Sequence, residues 1–188
     1  HSDPSPPLWQ GEGVTIVMGI LDIIKGRRSV RDFKDKDIPE EAIDALIDAI
    51  RWAPSAGNLQ SRKFYFIFNK DIKKGLAEAA LNQSFIAKAP LTVVACADSS
   101  IVFRYGGRGI NLYSIQDVSA SIENMLLTAY ELGLGSVWVG AFMEDEVKEV
   151  LKLPGNLRPV AIIPIGYPAR IPMPPSRMSK DEAVEFVR

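Results

Sequence analysis

Residues 114–132, SIQDVSASIENMLLTAYEL, constrain the fold more than any other segment. Ile115, Val118, Ile122, Met125, Leu126, Ala129 and Leu132 recur at helical spacing, and Asp117, Glu123 and Glu131 are the only charged residues among the nineteen. A surface helix keeps a polar face towards water, whereas a helix this poor in charge is covered on more than one side. Gly133-Leu134-Gly135 follows with the chemistry of a C-cap. The rest of the chain must therefore wrap around this element. With 188 residues, enough for about one domain, the second covering surface is expected to be another subunit. A mean hydropathy of +0.04 points the same way.

The flanking pattern alternates helices with about four strands. A short helix over 19–24 breaks at Gly26. Pro39 opens an amphipathic helix over 39–52, in which Ile43, Leu46, Ile47 and Ile50 share a face. Strand 64–68, helix 70–81 and strand 91–97 follow, then an irregular stretch over 98–113. After the long helix come strand 136–140, helix 144–152 and strand 159–165. A Pro-rich tract runs to Pro175, and Ser179 with Glu182 forms a capping box for a last short helix. This reads as one α+β domain (α/β in the broad sense) over residues 18–188. Residues 1–17 read as an N-terminal arm or a remnant of an expression tag, with Met18 near the natural start. They lack the basic start and apolar core of a secretory signal.

Charge and rare residues exclude several classes of function. Lys+Arg total 22 against Asp+Glu 23, a net charge of −1, so no global basic field draws the chain onto nucleic acid or an anionic membrane. No apolar stretch reaches the ~20 residues of a spanning helix. The single cysteine, Cys96, forbids an intramolecular disulfide and reads as a small buried hydrophobe in the run LTVVACA. The single histidine is His1, so a Ser-His-Asp triad, a Cys-His pair and a His-containing zinc site are excluded. A catalyst so built relies on other side chains or on a bound cofactor.

Two clusters carry candidate chemistry. Lys25, Arg27, Arg28 and Arg31 put four cations within seven residues, with Ser29 between them. Guanidinium forks match phosphate oxygens, so this is an anion site or, alternatively, a solvated basic turn paired with Asp32, Asp35 or Asp37. Ser55, Asn58, Gln60 and Arg62 combine turn formers with groups suited to the edge of a heterocycle, or are plain loop composition. Gly133-x-Gly135-x-x-x-x-Gly140 has the wrong spacing for a dinucleotide fingerprint, and Trp138 reads as core.

The blocks RRSVR (27–31), PSAGNLQ (54–60), QDVSASIENMLL (116–127), GLGSVWVG (133–140) and GYP (166–168) with Arg177 resemble, in order and spacing, the nitroreductase family. The resemblance covers residues 19–187. It implies an FMN-dependent oxidoreductase, a homodimer with a central mixed sheet of four to five strands flanked by helices, and one FMN at each end of the dimer interface. By that resemblance Arg27, Ser29 and Arg31 hold the FMN phosphate and the pyrimidine edge of its ring. Arg28 belongs to the same motif, and Arg177 returns to the phosphate. Ser55, Ala56 and Asn58, with Gln60 in the same block, reach the flavin from the other subunit. Val139 and Gly140 bring backbone N–H groups to its reactive nitrogen. No side chain is given a catalytic role and no metal is implied. NADH or NADPH is the expected donor and a nitroaromatic, quinone or similar electrophile the expected acceptor, turned over by a ping-pong mechanism in the cytoplasm. Two other readings are a flavin-storage or regulatory module and a specialised reductase on the same scaffold. Arg104, Tyr105, Arg108 and Tyr113 either shape the substrate pocket or make ordinary loop and dimer contacts.

Overall fold

Seven consecutive buried residues, Leu91 to Ala97, form the strand on which the other elements are assembled. In the computed structural model, which describes residues 19–188, this strand, β2 (Leu91–Asp98), lies between β1 (Arg62–Ile67) and β4 (Leu157–Gly166). The short β3 (Gly135–Ser136) adds to the far side of β4, giving the order β1-β2-β4-β3. All these pairings are antiparallel; the parallel component is an isolated bridge from Ser29 to Ser136. The expectations for the arm, His1 and Met18 fall outside the described residues.

Alternation along β2 divides the interior into two layers. Leu91, Val93 and Ala95 join Ala161, Ile163 and Ile165 of β4 on one face, packed against α2 (Glu40–Arg51) and α6 (Ser114–Glu131). Val94, Cys96 and Ile162 face the other way, towards α3 (Lys70–Ala79), α4 (Phe85–Lys88) and α7 (Glu144–Leu151). A strand covered on both faces needs a continuous apolar run rather than an alternating one, as the sequence of β2 shows. The first helix is α1 (Ile20–Gly26), and the last, α8 (Lys180–Ala183), carries the expected capping box. There Ser179 N–H donates to Glu182 Oε2 at 2.8 Å and Glu182 N–H to Ser179 Oγ at 3.3 Å. The end of α6 is equally regular: Gly133 takes φ +74, its N–H bonds the Tyr130 carbonyl, and Leu134 N–H bonds that of Ala129.

Three expectations need correction. Residues 98–113 are helical: a 3₁₀ turn (Ser99–Ile101), then α5 (Val102–Arg108) and a wide π turn (Gly109–Tyr113) running into α6. Its glycines weaken helix propensity and hide the 3.6-residue period, but packing overrides them. A Cβ on Gly109 would sit 2.9 Å from Tyr105 Cβ and 3.1 Å from a methyl of Ile101, so glycine is what lets these turns close. The strand expected over 136–140 is interrupted: β3 ends at Ser136 and pairing resumes only at Val139, against Ile162. Between them Trp138 is 39% exposed, outside the core in which it was expected.

Gly135 is buried, and an added Cβ would lie 2.8 Å from three side-chain carbons of Val30. Gly135→Ala is therefore expected to lower unfolding free energy by about 1–3 kcal/mol, measured by urea denaturation. Burial pushes the Cys96 thiol up to about 12. An aromatic disulfide reagent at mildly alkaline pH is expected to modify the folded protein only at the rate of unfolding, and rapidly once urea is added; a fast reaction in the folded state would contradict the buried assignment.

Candidate functional site

The basic segment begins where α1 ends. Arg28 turns back on that helix, its Nη1 donating to the carbonyls of Lys25, Gly26 and Arg27 at 2.6, 2.9 and 3.0 Å. These are orphan acceptors at a helix C-terminus, so one arm of Arg28 serves as a cap. Val30 N–H then bonds the Ser136 carbonyl at 3.0 Å, which fixes the 27–31 segment beside β3. The Arg27 and Arg31 guanidinium groups are left without hydrogen bonds or ion pairs among the described residues, where the ion pairs are Arg51–Asp48, Lys148–Asp145 and Arg158–Glu144. Arg31 lies 6.0 Å from the centre of the Phe85 ring, at the limit of a cation–π contact. The basic turn is thus not neutralised by Asp32, Asp35 or Asp37.

The segment after β4 completes a pocket over these arginines. Lys34 N–H bonds the Tyr167 carbonyl at 2.8 Å, Ala169 N–H bonds that of Asp32 at 2.9 Å, and Phe33 bridges to Pro168. Held there, the chain brings Pro172, Met173, Pro175 and Arg177 against Arg27, Arg28, Ser29 and Arg31, enclosing an open space of about 290 Å³. Among the described residues Arg177 donates only to the carbonyl of its neighbour Ser176, at 3.2 Å. The pocket is cationic with a partly apolar wall, and Arg27, Arg28, Ser29 and Arg31 meet Arg177 in it.

Residues 54–60 do not line this pocket. Ser55 is extended, Ala56–Asn58 form a 3₁₀ turn, and Gly57, Asn58 and Gln60 have φ of +56, +56 and +53. Ser55 Oγ accepts from Gln60 N–H at 3.0 Å. Ala56 N–H donates to Asp117 Oδ1 at 2.9 Å, so that amide is engaged within the chain. Arg62 staples the loop to its surroundings, giving hydrogen bonds to the carbonyls of Ala53 at 2.8 Å, Pro54 at 3.1 Å and Asp117 at 3.3 Å. Burial lowers the Arg62 pKa, and the nearby Asp117 charge opposes that shift. Sequence reading singled out neither this use of Arg62 nor Asp117 as a site residue. The available signal was a lone aspartate among the apolar positions of the long helix.

At the strand end the two backbone donors differ. Val139 N–H bonds the Ile162 carbonyl at 2.9 Å and is committed to the sheet. Gly140 is exposed, and its N–H makes no hydrogen bond among the described residues, leaving a free donor one residue beyond the pairing. On the α5 side Tyr105 and Tyr113 meet edge to face at 5.3 Å, and Arg108 Nε donates to the Tyr113 hydroxyl at 2.9 Å. Any side chain on Gly57 would collide with the Tyr105 hydroxyl, so α5 abuts the 54–60 loop. Among the described residues no cluster of three or more His, Cys, Asp or Glu could hold a metal ion.

Known proteins resemble this chain over most of its length. The sequence profile of the nitroreductase family matches residues 24–95 and 78–167. A Methanothermobacter thermautotrophicus protein, provisionally named as an NADH dehydrogenase/NAD(P)H nitroreductase, is 34% identical over 165 residues, covering 86% of this chain and 83% of its own. A Bacillus subtilis FMN reductase [NAD(P)H] is 29% identical over 80% of this chain and 66% of its own. Among solved structures, the NADPH:FMN oxidoreductase of Vibrio harveyi, complexed with NAD+, superposes with a TM-score of 0.82 at 25% identity, over 90% of this chain and 77% of its own. The extent of the profile match and of these similarities shows that the chain belongs to the nitroreductase family.

Proposed function

We propose that this protein is an FMN-dependent oxidoreductase that passes electrons from NADH or NADPH to a nitroaromatic, quinone or similar electrophilic acceptor, the two substrates binding in turn. The observation that carries the reading is the set of un-neutralised guanidinium groups of Arg27, Arg31 and Arg177 around one open pocket. Stable folds seldom concentrate like charge without a partner, and a phosphate dianion supplies both the charge and the acceptor oxygens that guanidinium forks fit. Relatives named as FMN reductases support the same choice of anion.

FMN, when bound, would supply the two-electron chemistry that a chain lacking a catalytic histidine does not provide. The residues of this chain bind, orient and stabilise. Arg27, Arg31 and Arg177, with the Ser29 hydroxyl, would hold the phosphate and the pyrimidine edge of the ring. The free arm of Arg28 adds positive potential while its other arm caps α1. The Ser29–Ser136 bridge joins the basic segment to the strand that leads to Gly140, whose free N–H would stabilise negative charge as it develops on the ring. Val139 would position that donor through its own pairing with Ile162.

In the same reading Ser55, Ala56, Asn58 and Gln60 meet the cofactor of a second copy, since they do not line the pocket of their own chain. A homodimer is further supported by apolar side chains left exposed on α1 and the C-terminal segment: Leu21 is 61% exposed, Met173 79% and Phe186 79%. The cytoplasm, with its reduced nicotinamide pools, is the matching compartment. No helix among the described residues is long and apolar enough to cross a membrane.

The purified protein, loaded with FMN, is expected to show flavin absorbance between 350 and 500 nm that bleaches on anaerobic addition of NADH or NADPH and returns with a quinone. Bands that persist with both donors would refute the oxidoreductase and favour flavin storage. Arg27→Ala combined with Arg31→Ala is expected to raise the FMN dissociation constant by about a hundredfold or more, since each charge-assisted contact contributes roughly 1.5–3 kcal/mol. The melting temperature of the FMN-free protein should be unchanged, because neither side chain makes a hydrogen bond or ion pair among the described residues. Wild-type affinity in the double variant would remove the phosphate from this pocket.

A further inference from the structure

The Ser55–Asn58 turn places Gly57 and Asn58, which tolerate the left-handed region, in that conformation, and Gln60, which does not favour it, follows in the same region. Hydrogen bonds inside the turn link Asn58 N–H to the Ser55 carbonyl, Leu59 N–H to that of Ala56, and Gln60 N–H to Ser55 Oγ, each at 3.0 Å. They leave the Ala56 amide, at the start of the 3₁₀ turn, with no acceptor in the loop.

That acceptor comes from a different element. Asp117, in the first turn of α6, is 4% exposed, and its Oδ1 takes the Ala56 N–H at 2.9 Å. Its second oxygen, Oδ2, is buried and has no hydrogen-bond partner among the described residues. Burying a carboxyl group so incompletely satisfied is expensive for stability, and an apolar residue would suit this helix face better. The Arg62 guanidinium grips the same loop through the carbonyls of Ala53 and Pro54, and lies near enough to Asp117 for the two charges to interact. All these holds act on the main chain. The Asn58 carboxamide makes no hydrogen bond among the described residues, so it is presented rather than consumed.

We propose that Asp117 is a positioning residue for the ligand site: its buried carboxyl group pins the Ala56 amide and thereby holds the Ser55–Asn58 turn in the shape in which it meets the flavin of the partner subunit. The flavin contact rests on the function proposed above; the hold itself does not. Asp117→Asn keeps an oxygen acceptor in place, and Asp117→Ala removes it.

Amide hydrogen exchange on the FMN-free protein tests the hold directly. In Asp117→Ala, exchange at Ala56, Gly57 and Asn58 is expected to quicken by about tenfold or more while β2 and β4 stay as in the wild type, with Asp117→Asn restoring slow exchange. FMN affinity, followed by flavin fluorescence, is expected to fall by about tenfold in the alanine variant and to recover with asparagine. Unchanged exchange at 56–58 in Asp117→Ala would overturn the proposal, as would an asparagine variant as loose as the alanine one. A loosened loop with unchanged FMN affinity would support the hold but refute the loop–flavin contact, without touching the arginine pocket. If the alanine variant does not fold, Asp117→Ser, polar but one bond too short to reach Ala56, carries the same expectations.

Discussion

The seating of α6 between the sheet and α2 is the constraint from which the rest of this structure follows. One side of the helix supplies Val118, Ile122, Met125 and Ala129 to the core beneath β2 and β4. A second, polar seam runs along it at Asp117, Ser121 and Asn124. Ser121 Oγ donates to the Ile50 carbonyl at 2.9 Å and Asn124 Nδ2 to that of Ala49 at 3.1 Å. These are end carbonyls of α2, which no turn of their own helix can satisfy. The seam therefore holds the exit of α2 and, one turn earlier, the loop that follows it. Apolar burial fixes where α6 lies; the polar seam fixes how the neighbouring chain leaves α2.

A second physical theme is the separation of cations that work for the fold from those that do not. Arg62 and Arg28 direct donors at backbone carbonyls, and Arg158 forms a two-pronged pair with Glu144 that holds that carboxyl below its usual range. Among the described residues the Arg27 and Arg31 side chains make no such bond and Arg177 reaches the carbonyl of its neighbour Ser176 alone, yet pairing of residues 32–34 with 167–169 brings the three together from opposite ends of the described chain. Charge with no structural partner, assembled by long-range backbone hydrogen bonds, is the feature that asks for a ligand.

Much of this was legible in the residues. The i, i+3, i+4 pattern located α2 and α6, the capping box at Ser179 and Glu182 located α8, and the apolar run at 91–97 located β2, because each depends on groups close in the chain. The 98–113 segment misled: Tyr105, Gly106, Gly107 and Gly109 read as loop, and their helical turns exist because Gly109 lets Tyr105 and Ile101 close over it. Strand 136–140 was overextended, since β propensity does not register that Trp138 turns out of the sheet between two pairing points.

The sequence alone determined the family, the confinement of histidine to His1 and the identity of the basic motif, because these depend on which residues are present and how they are spaced. The tertiary structure alone decided which arginines stay unpaired, that Val139 loses its amide to Ile162 while Gly140 keeps its own, and that Asp117 serves the Ala56 turn. Whether a donor or a charge is free depends on what lies within about 3–4 Å of it. Asp117 and Ala56, for example, are 61 positions apart, a distance that local pattern does not span.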